Sequence, residues 1–412
     1  MLDRKEKLAR LIQIGIDVNH IRDLDVLLEK ILSEARALVC ADAGSIYIKE
    51  DSNLKFSYAQ NDTLQKKLPH GKKLIYTTFS MPINNHSIAG FVANNGKTLN
   101  IPDAYQISTN LPFSFDKSFD EKVGYETHSI LAEPLQNTRG QIIGVLQLIN
   151  AKNDSAEIEP FDVEDEPLIQ HFANYAANAI ERAQLTRTTI MRMISMAELR
   201  DPKETGPHVN RVAAYSLELF EAYAKKRNMP KDAVESQRDS LRMAAMLHDV
   251  GKVAISDLIL KKPGRFTDDE YEIMKQHTIL GARLFKDARS EFDEISAEVA
   301  LNHHERWDGL GYPGFVDVTT GEPLAGYGDG NGNARGKRAD EIPLFGRIVA
   351  LADVYDALSS KRVYKEAWNE EQVLEVLKAE SGKQFDPELV EVFFEILDVI
   401  HSIQQRYPDH AE

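Results

Sequence analysis

The sequence predicts a two-domain protein, an N-terminal α/β domain and a C-terminal all-α domain joined by one long helix. Three observations carry this. Short apolar runs punctuated by Asn, Asp and Gly fill residues 40–150 and read as strands. After Pro202 the apolar residues recur at three-to-four spacing almost throughout, the signature of helices. Between these regions, residues 172–199 contain neither Pro nor Gly.

In chain order, residues 24–39 form an amphipathic helix with Leu24, Leu27, Leu28, Ile31, Leu32 and Ala35 on one face. The clearest strands are 45–48, 129–132 and 142–149. A helix over 166–200 closes the first domain. Ile180, Ala183, Ile190, Ile194 and Ala197 recur along it at near-helical spacing. Such a helix either packs on its own domain or pairs with a second copy as a parallel dimer helix. Further helices are predicted over 211–226, 236–247, 268–286 and 371–379. Residues 316–341 hold six of the 23 glycines and read as a flexible loop.

At 412 residues, with 42% hydrophobic and 28% charged residues, the chain is ordinary globular material sufficient for two or three domains. The formal charge of -16 argues against coating a nucleic-acid polymer, which needs a basic face. It leaves room for a small anionic ligand in a local basic pocket. One cysteine, Cys40, excludes an intrachain disulfide and a thiolate metal site. No apolar stretch reaches membrane-spanning length, and the N-terminus lacks a signal-peptide core, so the expected location is the cytoplasm.

The helical half gathers His208, His248, His277, His303 and His304. Glu204 and His208 lie four apart in ETGPH, so a helix would put carboxylate and imidazole on one face. His248 and Asp249 are adjacent in LHDVGK, and His303 and His304 in NHHERWDGLGYP. Asp353 sits inside the apolar helix IVALADVYDAL, where burial is expensive unless a cation compensates. Imidazole and carboxylate donors suit divalent first-row metals, and two such ions can promote phosphodiester hydrolysis. Lys252, one turn after Asp249, could neutralise phosphate charge. Arg362 and Lys365 in SSKRVYKEAW could clamp a second phosphate.

ETGPHVNRV, MLHDVGK, His277 of QHTILGARL, HHERWDGLGYP and RIVALADVYDAL occur in the order of the HD-GYP branch of the HD phosphohydrolases, and residues 190–390 resemble that family. The resemblance implies an all-α HD-superfamily domain over 185–412 and a metal-dependent phosphodiesterase. Such an enzyme hydrolyses cyclic di-GMP to pGpG or GMP through a metal-bound hydroxide. The metal ligands then fall on His208, His248, Asp249, His277, His303, His304 and Asp353, with Asp249 bridging. Glu204 matches the extra carboxylate of three-metal members, usually iron; manganese is the alternative. His248, Asp249 and Lys252 would be catalytic, and Lys252, Tyr312, Arg362 and Lys365 would contact substrate. The connection after Gly311-Tyr312-Pro313 is longer than the family's, so residues 316–341 read either as a lid or as a surface loop.

Residues 22–183 resemble a GAF domain, an antiparallel sheet flanked by helices, through SIAGFVANNGKTLNIPDAY, GYETHSILAEPL and IIGVLQLINAKND. Asn150, Lys152, Phe161, Asp165 and Glu166 follow the family's NKFDE pattern, with an Ala inserted. A Lys–Asp bridge is expected there to tie strand to helix. The expected organisation is therefore a regulatory GAF domain over 1–184, with an unidentified small-molecule ligand, ahead of the HD-GYP domain. A homodimer through the GAF and linker helices is implied, with diguanylate cyclases as candidate protein partners. Two alternatives stand beside the cyclic di-GMP phosphodiesterase: a catalytically weak signalling and protein-interaction module, and a phosphodiesterase for another cyclic dinucleotide such as cyclic GMP–AMP.

Overall fold

Residues 3–69, 72–74, 76, 79–198, 206–329, 332–360 and 368–408 are described by a computed structural model. They form two compact units, Met1–Arg187 and Thr188–Glu412.

The first unit is built on a sheet of seven strands among the described residues, every pair antiparallel. These are β1 (Ala41–Glu50), β2 (Asn53–Asn61), β3 (Ser80–Pro82), β4 (Leu99–Ile101), β5 (Ile130–Gln136), β6 (Ile142–Lys152) and β7 (Ile158–Glu159). The path is β3-β2-β1-β6-β5-β4, with β7 on β6. Helices α1 (Arg4–His20), α2 (Leu24–Leu38) and α6 (Glu166–Glu198) accompany it, with α3 (Asp62–Lys67), α4 (Ile88–Asn95) and α5 (Ser118–Val123) in the connections.

Alternation along the strands explains the layering. Ile46, Leu131, Leu146 and Leu148 share a core with Leu27, Ile31 and Leu32 of α2 and Phe172 and Ile180 of α6. Tyr47, Ile130, Ala132 and Val145 point the other way, into a second core with Ile88 and Val92 of α4 and Phe113. Both faces are covered, so the central strands read as near-continuous apolar runs rather than alternating ones.

One expectation is corrected here. Lys152 does not bridge to Asp165. Its Nζ sits 2.5 Å from Asp42 Oδ1 on the neighbouring β1, while Asp165 takes Lys7 of α1 at 2.7 Å. Asp42 also accepts Tyr125 Oη and Thr63 Oγ1. The buried carboxylate on the adjacent strand out-competes the helix for the ammonium because it is already within reach across the ladder.

The second unit is helical: α7 (Gly206–Lys226), α8 (Lys231–Met246), α9 (Asp257–Leu260), α10 (Asp268–Lys275), α11 (His277–Arg283), α12 (Glu291–Asn302), α13 (Leu344–Ser359), α14 (Glu370–Ala379), α15 (Pro387–Glu395) and α16 (Leu397–Arg406). Its core joins Tyr215 and Phe220 of α7, Leu241 of α8, Val299 of α12, Ile348 and Tyr355 of α13 and Phe393 of α15. Ile190 and Ile194 of α6 belong to this core too, and the division between the units falls within α6. The helix predicted over 268–286 is two helices, broken at Gln276.

The glycine-rich stretch is also more constrained than its composition predicts. Phe315 and Tyr327 stack at 4.1 Å, with the Arg335 guanidinium over both rings. Arg335 is held by a bidentate pair to Glu341. Among the described residues no helix is long and apolar enough to cross a membrane.

Candidate metal centre

Five segments converge on one point of the second unit. α7 supplies His208 from its first turn. The end of α8 runs into His248 and Asp249, and a 3-10 turn over Val250–Ala254 carries Lys252. α11 starts at His277, α12 ends at His303 and His304, and α13 supplies Asp353 from its interior.

The close approach of two of these segments depends on a glycine. A Cβ on Gly251 would lie 1.9 Å from the carbonyl oxygen of His277 and 2.4 Å from the nitrogen of Gly281. Only Gly lets the turn after Asp249 lie directly on α11, which is how Asp249 and His277 come together.

The donor atoms fall into two groups, each with its atoms within 4.8 Å of one another: Asp249, His277, His303 and His304, and His208, His248 and Asp353. Asp249 lies between them. Its Oδ1 is 3.1 Å from His277 Nε2 and 3.5 Å from His303 Nε2, and its Oδ2 is 3.4 Å from His248 Nε2. In the second group Asp353 Oδ1 lies 3.6 Å from His208 Nε2 and 3.9 Å from His248 Nε2. Separations of about 3–4 Å are those of donors sharing an ion at about 2.1 Å.

The imidazole tautomers fit the same use. The Nδ1–H of His248 donates to Ala245 O at 2.7 Å, that of His277 to Met274 O at 2.7 Å, and that of His303 to Ala300 O at 3.0 Å. A carbonyl can only accept, so Nδ1 must carry the proton, and Nε2 keeps its lone pair facing inward. The Nδ1–H of His208 donates to Asp356 Oδ2 at 2.8 Å, and Asp356 is fixed by Arg211 through Nε at 2.6 Å and Nη2 at 2.9 Å. This orienting pair was not singled out in the sequence. The signal was present: Asp356 lies one turn beyond Asp353, on the same side of the helix.

Electrostatics agree with the donor roles. Burial holds the His303 imidazole below its ordinary range, and burial together with His303 and His277 holds His304 well below it. Both are neutral, as ligands must be. Burial alone would raise the Asp249 carboxyl; the Lys252 ammonium beside it overcomes this and holds Asp249 well below the usual carboxylate range. Lys252 Nζ is 2.6 Å from Asp249 Oδ2. The residues thus fit divalent ions by donor type, tautomer and spacing.

Of the other residues singled out, Tyr312 stacks on His304 with ring centroids 4.9 Å apart. Glu204, Arg362 and Lys365 lie outside the described residues. Tyr271 and Lys275 were not anticipated. The Tyr271 ring meets Tyr312 edge-on at 6.2 Å, and Lys275 Nζ lies over both rings.

A helical unit closing on two adjacent histidine–carboxylate groups defines a class of protein with a divalent-metal centre. Residues 205–358 match the HD domain family, and residues 23–180 match the GAF domain family. The chain therefore combines a GAF domain with an HD domain whose homologues are cyclic dinucleotide phosphodiesterases. It is 38% identical over 220 residues to a cyclic di-GMP phosphodiesterase of Thermotoga maritima (53% of this chain, 51% of the relative). It is 33% identical over 276 residues to a cyclic di-GMP phosphodiesterase of Vibrio cholerae (65% and 52%). It is 36% identical over 230 residues to the 3'3'-cGAMP-specific phosphodiesterase 2 of Vibrio cholerae (56% and 38%). The chain spans about half the length, or less, of these curated relatives.

Proposed function

We propose that the C-terminal unit is a metal-dependent phosphodiesterase that hydrolyses cyclic di-GMP to pGpG or GMP, and that the GAF unit regulates it. The observation that carries this is the position of Asp249, with one oxygen facing His277 and His303 and the other facing His248. A carboxylate so placed can serve two adjacent cation positions at once. In this reading His208, His248 and Asp353 hold one ion, His277, His303 and His304 another, and Asp249 both. Glu204 is assigned to a third. Iron suits this donor set, with manganese as the alternative.

Ions held there would supply Lewis-acid activation of water and neutralisation of phosphate oxygens. The chain's own part is positioning. Lys252 places an ammonium beside the carboxylate that faces both groups, so one phosphate oxygen meets a fixed positive charge. Tyr312, fixed against His304, forms a wall of the site. Arg362 and Lys365 are assigned to the distal phosphate. These charges explain how a chain of formal charge -16 takes an anionic substrate.

The test is elemental analysis of anaerobically purified protein beside a cyclic di-GMP hydrolysis assay. Two or more ions per chain and turnover are expected, and Asp249→Ala should lose both metal and turnover. Metal-free protein that stays inert after iron or manganese loading would instead mark a signalling module. A second substrate, cyclic GMP–AMP, is favoured by the 36% identity to a 3'3'-cGAMP-specific phosphodiesterase. Assaying the two dinucleotides in parallel distinguishes them.

A further inference from the structure

An unbroken series of ring contacts leads from the buried imidazoles to solvent. His277 meets His304 edge-on at 5.1 Å, His304 stacks on Tyr312 at 4.9 Å, and Tyr312 meets Tyr271 edge-on at 6.2 Å. His277 is 1% exposed at one end and Tyr271 is 45% exposed at the other. We propose that Tyr271 is a nucleobase platform of this site, a binding residue on which one base of the dinucleotide stacks. This rests on the dinucleotide-phosphodiesterase reading above.

The ring is held in place rather than left to swing, as a stray surface tyrosine would be. Lys275, one turn further along α10, puts Nζ 4.9 Å from the Tyr271 centroid and 5.6 Å from that of Tyr312. The ammonium is itself tied to Glu272 Oε1 at 2.6 Å. A cation lying over both rings attracts each of them and holds their edge-on arrangement in place. A tethered ring loses little conformational freedom when a ligand lands on it, so most of the stacking energy is kept as affinity.

The location suits a base rather than a phosphate. α10 and α11 are consecutive, so Tyr271 and Lys275 stand at the rim while His277 lies among the donors. A nucleotide whose phosphate occupies the donor groups must project its base one sugar outward, onto the rim. Every base has a π-face, so a lone tyrosine platform binds guanine and adenine alike. Tyr271 therefore supplies affinity for dinucleotides as a class, and discrimination between bases comes from other residues.

The experiment uses the full metal-loaded chain and three probes: cyclic di-GMP, a phosphorothioate analogue of it for equilibrium binding, and bis(p-nitrophenyl) phosphate, a diester without bases. Tyr271→Ala should weaken analogue binding and raise KM for cyclic di-GMP on the order of 10-fold. It should leave kcat and hydrolysis of the base-free diester near wild type, and Tyr271→Phe should restore affinity. Equal analogue affinity in wild type and Tyr271→Ala overturns the platform. An equal loss on the base-free diester also overturns it, because it reports damage to the donor groups. Wild-type protein that neither binds the analogue nor turns over cyclic di-GMP fails the dinucleotide reading itself, a result separate from the other two.

Discussion

Glu305 accepts the backbone N–H of Lys337 through Oε2 at 3.0 Å, and the backbone N–H of Gly314 through Oε1 at 2.6 Å. One buried carboxylate, next in sequence to His304, thus pins both ends of the glycine-rich excursion. The excursion packs on the turn without side chains in the way. A Cβ on Gly336 would lie 2.4 Å from the carbonyl oxygen of Gly309, and one on Gly314 would lie 2.3 Å from that of Arg335.

Glu305→Ala should orphan two backbone donors at once. Each buried unpaired group costs about 1–3 kcal/mol, so the second unit should melt at clearly lower temperature. Glu305→Gln should fall between, since its amide oxygen can still accept one of the two bonds. Thermal unfolding followed by circular dichroism measures both. An unchanged melting temperature in Glu305→Ala would show that the clamp carries no stability.

Asp356 orients His208 and is charge-paired with Arg211. Asp356→Asn keeps the volume but weakens the acceptor for His208 Nδ1–H and leaves Arg211 partly uncompensated. Loss of such an orienting partner typically lowers metal affinity 10- to 100-fold. Metal titration monitored by competition with a chelator is the measurement, and wild-type affinity would contradict the orienting role.

The two donor groups should empty separately. His303→Ala removes a donor from one group and leaves His208, His248 and Asp353 intact. Metal content per chain should fall without reaching zero, whereas Asp249→Ala should deplete both positions. Elemental analysis of the two variants beside wild type decides, and identical metal loss in both would argue against separable positions.

In the GAF unit, burial pushes the Glu133 carboxyl up to about 7; the Thr98 hydrogen bond opposes this and Glu166 adds to it. The folded-state value lies above the unfolded one, so the folded domain holds the extra proton between about 4.5 and about 7. Stability is therefore greatest at the acid end of that window and falls as pH rises through it, by about 3 kcal/mol at most. Glu133→Gln keeps an acceptor for Thr98 Oγ1, which donates at 2.6 Å. It should raise the melting temperature at pH 8 and leave it unchanged near pH 4.5. A gain of equal size at both values would rule out titration of Glu133 as the cause.

Much of the centre was legible because its chemistry is carried by residue type. His208, His248, Asp249, His277, His303, His304 and Asp353 are scattered over some 150 residues, yet each is of a ligating type and falls in a motif that resembles the HD-GYP pattern. What was not legible depends on partners far away in the chain. Asp356 reads as an ordinary helix carboxylate until Arg211 and His208 arrive from α7. Tyr271 reads as a surface aromatic until Tyr312 is seen beside it. Lys152 was assigned to Asp165 by pattern, whereas strand pairing delivers it to Asp42. The stretch over 316–341 reads as flexible because glycine content is a local property, while Glu305 and the stack of Arg335 on Phe315 and Tyr327 are not local.

The sequence by itself determined the two-part architecture and the helical character of the second part, and it named the candidate donor residues. Periodicity and residue type are properties of the chain, and no contact is needed to read them. Only the tertiary structure decided that the donors divide into two groups with Asp249 between them. It also decided that the imidazoles turn Nε2 inward, and that a series of rings links His277 to solvent at Tyr271. Those facts follow from helix ends meeting in space, and from backbone carbonyls that take the Nδ1–H of His248, His277 and His303.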